Sequence, residues 1–127
     1  EDVPEVWNDK YEEYLGIRPD TDSEGCLQDI HWSHGNFGYF PTYSLGSAMA
    51  AQLYAAAEDD IDDLEAEITA RDFDALHEWL TENVHRHGAR YETNELVERA
   101  TGSAFTAEAF VDYVTEKYGA LYDLDSV

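Results

Sequence analysis

Between Leu45 and Ile68 one apolar pattern constrains the chain: Leu45, Met49, Leu53, Ala57, Ile61, Leu64 and Ile68 recur at steps of three or four. That period fits the 3.6-residue turn of an α-helix and not the alternation of a strand. It predicts one long helix over about residues 43–70. Asp59, Asp60, Asp62, Asp63, Glu65 and Glu67 crowd its second half, as a solvated face or beside a bend near residue 58. Similar patterns flank it. A first helix is predicted from Pro4, suited to the first helical turn, through Val6, Trp7, Tyr14 and Leu15 to a stop at Gly16. A third spans about 72–87, with Phe73, Leu76, Leu80 and Val84 on one side and Gly88 at its end. A short fourth has Thr93 as N-cap, Glu95 in its first turn and Gly102 as its stop. The fifth runs from Thr106 through Phe110, Val114 and Tyr118 to about 122. No strand pattern competes, so the fold class is all-α with about five helices.

Residues 17–42 break this pattern. Pro19, Gly25, Gly35, Gly38 and Pro41 argue for a long, shaped, glycine-rich loop between the first two helices. Long loops inside compact domains are often functional. The 127 residues suit one helical domain, and folding at this size buries roughly two thirds of the unfolded chain's surface. The chain is 43% hydrophobic and 13% aromatic, enough to fill a core, which argues against disorder.

Charge restricts the partners. Twenty-nine acidic residues stand against seven lysines and arginines, a net charge of -22, and Lys10 and Lys117 are the only lysines. Such a surface repels phosphate backbones and anionic lipid headgroups, which excludes nucleic acid and membrane surfaces as partners. No apolar run approaches the roughly 18 residues of a membrane-spanning helix. Acids spread over the whole chain with few lysines are expected of a cytoplasmic protein from an organism living in strong salt. Cys26 is the only cysteine, so no intrachain disulfide forms. The opening Glu1-Asp2-Val3-Pro4 is not a signal peptide and lacks an initiator methionine, as expected of a processed chain or a piece of a longer one.

The chemistry-bearing residues concentrate in Gly25-Cys26-Leu27-Gln28-Asp29-Ile30-His31-Trp32 and continue to Tyr43. A surface loop has no packing reason to hold so many aromatics, whereas a loop folded against a cleft does. Gly25, Gln28, Asp29, His31 and Trp32 fit G-x-x-Q-D-x-H-W, a signature of the Taq carboxypeptidase family. Phe37-Gly38-Tyr39-Phe40-Pro41-Thr42-Tyr43, Leu45-Gly46, Ala50-Ala51-Gln52-Leu53 and, in the first helix, Trp7-Asn8, Lys10-Tyr11 and Tyr14-Leu15-Gly16 also resemble it. The resemblance is strong over residues 3 to about 55 and weak beyond. It implies a helical fold with a deep groove, a homodimer, and a zinc held by H-E-x-x-H and a downstream Glu, removing single residues from peptide C-termini. Zinc polarises a bound water in such enzymes, and negative charge develops on the former carbonyl oxygen, where donors are needed.

No H-E-x-x-H occurs here; His77 and Glu78 are followed by Thr81 where the second His is required. The zinc of the longer enzyme would therefore lie on residues outside this chain. No cofactor is expected within it, and the 127-residue chain alone is expected to be inactive. By the resemblance, His31 with Tyr39 or Tyr43 are the candidate catalytic donors, imidazole N–H and phenol O–H both being able to donate. The tyrosines equally suit packing or anchoring the loop. Gln28, Asp29 and Trp32 are candidates for touching substrate or supporting the groups that do. Asp29 suits orienting a metal-ligating histidine or bracing the loop, Gln28 satisfying loop backbone, and Trp32 filling the core or walling the groove.

Other readings are weaker. Asp20-Thr21-Asp22-Ser23-Glu24-Gly25 imitates half a calcium loop, but His31 stands where a bidentate Glu belongs. Cys26, His31 and His34, or His85 and His87, lack standard zinc spacing. Arg18 lies in Ile17-Arg18-Pro19, like an I-R-P motif of the family but in the wrong place, so it is not assigned to a substrate carboxylate. A stand-alone acidic helical interaction module without catalysis is the alternative function, and the long helix's stripe could serve a partner instead of the core.

The charge yields a first prediction. Raising KCl from about 0.1 M, where the Debye length is about 10 Å, to about 1 M, where it is about 3 Å, should raise the thermal midpoint of the chain by relieving self-repulsion. A midpoint that stays level or falls would show that the repulsion does not limit stability.

Overall fold

The computed structural model describes residues 3–124. Six α-helices follow in order: α1 (Val3–Leu15), α2 (Pro41–Asp60), α3 (Leu64–Thr69), α4 (Asp74–Asn83), α5 (Thr93–Thr101) and α6 (Glu108–Tyr122). Short 3-10 turns occupy Cys26–Gln28, Ile30–His34 and His85–His87. No strand occurs among the described residues, so the all-α class holds. The chain divides into two compact units, the first ending at Thr42 and the second beginning at Tyr43, within the first turn of α2.

The predicted long helix is two helices. The break falls at residues 61–63, beyond the expected bend near 58, and Asp63 takes up the left-handed conformation with φ 58. Asp is among the few residues that tolerate this backbone. An unbroken helix would stack the acids of this segment at i, i+3 and i+4, where like charges repel. The apolar stripe nevertheless works as a core. Ala57, Leu64, Trp79 and Ala100 are buried together, with Leu53, Ile61, Ile68, Leu76, Leu80 and Val84 packed against them. Leu45, at the start of the stripe, is 52% exposed and takes no part.

Trp79, not singled out from the sequence, anchors this core twice. Its ring is buried, and its Nε1 donates to Asp60 Oδ2 at 2.8 Å, at the last residue of α2. Burying the ring satisfies its polar edge at the same time. The helix predicted over 72–87 stops at Asn83, whose side chain donates to the Trp79 carbonyl, and continues as the 3-10 turn. Thr93 is the first residue of α5 and not its cap; Glu92 holds that place in an extended conformation. Gly102 ends α5 in the left-handed conformation, φ 74, as its sequence position suggests. The last helix begins at Glu108, whose N–H donates to Thr106 Oγ1 at 3.2 Å.

Gln52 joins α2 to the α5–α6 connection. It is 5% exposed; its Nε2 donates to Ser103 Oγ and the Ala104 carbonyl, both at 3.0 Å, and its Oε1 accepts from the Thr106 N–H at 3.0 Å. One side chain thus satisfies two backbone groups of an irregular segment. Gln52→Leu keeps the volume and strands both groups, so urea unfolding should show a loss of about 1–3 kcal/mol. A change below about 0.5 kcal/mol, the scale of an ordinary surface substitution, would mean that water replaces the amide.

Candidate functional site

The first unit is built around α1. Gly16 ends that helix in the left-handed conformation, φ 69, with its N–H on the Glu12 carbonyl at 3.0 Å. Arg18 folds back, its Nη1 donating to Asp9 Oδ1 at 2.7 Å and Glu12 Oε2 at 2.9 Å. These hydrogen bonds raise the guanidinium further above its ordinary pKa and engage Arg18 with α1. The chain then turns at Thr21–Gly25 and meets α1 again. A Cβ on buried Gly25 would stand 2.9 Å from Asn8 Oδ1 and 3.4 Å from Pro19 Cβ. Glycine is the residue that permits so close an approach.

Two tight turns follow. Cys26 is buried, and the Gln28 side chain, itself exposed, donates to the Ser23 carbonyl, so its amide is used within the loop. Asp29 sits between the two 3-10 turns and is 6% exposed. Its Oδ1 accepts from the His31 backbone N–H at 3.0 Å and lies 2.7 Å from His31 Nδ1. A carboxylate only accepts, so Nδ1 carries the hydrogen of this contact. The imidazole's tautomer and orientation follow from it. The Tyr39 ring lies against the imidazole, centroids 4.8 Å apart and planes tilted by 36°, and Phe40 meets it edge-on at 5.6 Å. Tyr39 and Phe40 are each 46% exposed, so this aromatic corner opens to solvent.

Trp32 points into the aromatic packing of α1. It makes a T-shaped contact with Trp7 at 6.1 Å and 88°, and a tilted one with Phe37 at 6.2 Å. Such pairs contribute about 0.5–1.5 kcal/mol each beyond burial. Gly35 closes the second turn in the left-handed conformation, φ 77, its N–H on the Trp32 carbonyl at 3.0 Å. The segment expected to be a long loop holds two 3-10 turns between irregular stretches, and it lies against α1 at Asn8, Trp7 and Arg18.

His31, Asp29, Tyr39 and Trp32 belong to this unit; Tyr43 lies in the second, is 57% exposed, and accepts Ser47 Oγ on its carbonyl at 3.1 Å. Phe40, not singled out by itself in the sequence, joins His31 through its ring edge. Its place directly after Tyr39 and before the helix start at Pro41 was the available signal. Among the described residues, no group of three His, Cys, Asp or Glu is arranged to hold a metal ion, so the residues present do not fit a metal centre.

Comparison with known proteins places these residues in a wider frame. The family profile described as carboxypeptidase Taq (M32) metallopeptidase matches residues 1–118. Thermostable carboxypeptidase 1 of Pyrococcus furiosus is 50% identical over 117 residues, 92% of this chain and 23% of that protein. Carboxypeptidase 1 of Bacillus subtilis is 45% identical over 122 residues, 96% of this chain and 24% of that protein. Among solved structures, the M32 carboxypeptidase of Deinococcus radiodurans superposes with a TM-score of 0.90 at 47% identity, over 97% of this chain and 25% of that one. Metallocarboxypeptidase 1 of Trypanosoma cruzi gives a TM-score of 0.85 at 39% identity, over 91% and 25%. The chain thus spans about a quarter of the length of the relatives it matches.

The Asp29 contact yields a prediction about one proton. In the neutral ring, nitrogen-detected NMR of His31 should find the hydrogen predominantly on Nδ1. Asp29→Ala should move the population toward the Nε2–H form, which predominates in free imidazole side chains. An unchanged tautomer would show that another group sets the ring.

Proposed function

This chain belongs to the carboxypeptidase Taq (M32) metallopeptidase family, and on that basis we propose that it is the C-terminal helical part of a longer zinc-dependent carboxypeptidase. That enzyme would remove single amino acids from peptide C-termini. The observation that carries the reading is the Asp29–His31 pair, walled by Tyr39 and Phe40, in the segment that fits the family signature. The zinc is assigned to residues outside this chain, and the 127-residue chain alone is read as inactive.

Hydrolysis of a peptide bond places negative charge on the former carbonyl oxygen, and donors aimed there lower the barrier. His31 is the first such donor. Its Nδ1 is committed to Asp29, so its contribution to a substrate comes from Nε2. Nε2 carries a hydrogen as well when the ring is an imidazolium, for which the buried Asp29 carboxylate is the counter-ion. The second donor is a phenol, from Tyr39, whose ring lies against the imidazole, or from Tyr43 in the first turn of α2. Asp29 positions His31, Gln28 holds the loop's own backbone, and Trp32 fastens the loop to α1.

The remaining assignments rest on charge and on the family. The net charge of -22 supports an enzyme working in a salty cytoplasm, with peptides and not nucleic acids as substrates. Among the described residues no helix is long and apolar enough to cross a membrane. The intact enzyme is read as a homodimer.

In the intact enzyme, His31→Ala should lower kcat by roughly 10²–10³-fold, the loss expected for one oxyanion donor, with a smaller change in KM. His31→Gln should recover part of it, since an amide N–H can donate. A loss confined to KM would move His31 from the transition state to substrate binding.

A further inference from the structure

The second unit holds a cavity of about 270 Å³. Met49 and Leu53 of α2, Val84 at the end of α4, and Leu96 and Val97 of α5 make its apolar wall. Tyr91 and Thr93 are the lining residues that carry hydroxyl groups. Gly88 also lines it, with φ 54, and apart from its chain neighbours no heavy atom stands within 4 Å of where its Cβ would be. The space beside Gly88 is therefore open. The volume lies near the lower end of small-molecule sites, roughly 300–1,000 Å³, and takes about nine water-sized atoms.

Cations gather beside this cavity. Three of the chain's seven lysines and arginines, Arg86, Arg90 and Arg99, fall between residues 86 and 99. Arg90 and Arg99 both lie over the ring of Tyr91, 5.5 Å and 4.3 Å from its centre, and the His87 ring stands 5.3 Å from it. Arg86 is paired with Glu82, and Arg99 with Glu95 at 2.9 Å. Arg90 has no ion pair among the described residues, although 29 acids stand against seven lysines and arginines in this chain. A contact with a ring face leaves the N–H donors of a guanidinium available, and their fork fits a carboxylate.

The two features ask for one kind of ligand. An inorganic anion would use Arg90 and leave the apolar wall unfilled. A neutral hydrocarbon would fill the wall and leave the guanidinium unused. A long acyl chain exceeds the volume. We propose that this cavity is a binding site for a small carboxylate with an apolar tail, the tail against Met49, Leu53 and Leu96 and the carboxylate on Arg90. Free apolar amino acids and amine-free branched acids share this chemistry. Burial of the tail supplies affinity, and the charge-assisted pair selects acids over neutral molecules. The proposal goes beyond the carboxypeptidase reading and uses none of the His31 site.

The test is methyl NMR of the methionine-labelled intact enzyme titrated with isocaproate. Met49 is the only methionine of these 127 residues, and Met49→Leu assigns its signal in the longer protein. Isocaproate should shift that signal saturably. Its neutral counterpart, isocaproamide, should bind roughly tenfold or more weakly, the worth of a charge-assisted pair. Arg90→Gln should weaken isocaproate by the same factor and leave isocaproamide unchanged, while Arg90→Lys should keep part of the preference for the acid. Arg90 is exposed, so these changes leave the packing around Met49 intact. Leucine acting as isocaproate does supports the proposal with free amino acids as the source; a response to isocaproate alone supports it with amine-free acids. A Met49 signal that isocaproate does not move overturns the proposal, as happens if another part of the enzyme fills the cavity. Equal affinity for the acid and the amide, or no effect of Arg90→Gln, overturns it too.

Discussion

A carboxylate that is 6% exposed must find donors or lose its charge, and Asp29 finds two in the same residue. The backbone and the ring of His31 both turn to its Oδ1. That forces a tight turn between the two 3-10 segments and sets the imidazole in one orientation. The aromatic corner depends on the same anchor, because Tyr39 and Phe40 pack against a ring that is already fixed. Behind the turn, Gly25 lets the loop lie directly on Asn8, and Trp32 closes the gap against Trp7. This closeness carries a cost. Among the described residues, Asn8 Oδ1 and Trp7 Nε1 are buried without a hydrogen-bond partner. The first unit gives up polar satisfaction on α1 to hold the His31 loop in place.

Much of the fold was legible because helical period and glycine stops are local signals. Gly16 and Gly102 sit in the left-handed conformation at helix ends, as their sequence context suggests. The misreadings were tertiary. The break at residues 61–63 lets Ala57 and Leu64 both reach the core; the crowded acids pointed to a bend near residue 58 but not to its place or to two separate helices. Trp79 reads as one more aromatic until Asp60 is seen to meet its Nε1. Thr93 looked like a cap, yet the chain used Glu92's extended backbone without any capping side chain.

The site was legible as a composition before it was legible as a geometry. The crowding of His31, Asp29, Tyr39 and Trp32 into a segment broken by Gly and Pro marked it as the chemical part of the chain. The sequence left two roles open for Asp29, orienting a metal-ligating histidine or bracing the loop; in the structure its carboxylate meets the ring and the backbone N–H of His31. The likeness to known carboxypeptidases, carried by recognisable motifs to about residue 55, extends over residues 1–118. It is therefore not confined to a shared loop, which removes the main support for an unrelated interaction module. The exposed apolar side of α1 and the many half-covered aromatics fit a chain that spans a quarter of its relatives.

In the proposed site Asp29 acts through His31, and His31 acts on the transition state. A double-mutant cycle in the intact enzyme tests it most directly, with kcat measured for Asp29→Ala, His31→Ala and the double variant. Residues acting as one unit are non-additive, so the double variant should be scarcely slower than His31→Ala alone. If the two losses multiply instead, Asp29 and His31 act independently and the account of the site fails.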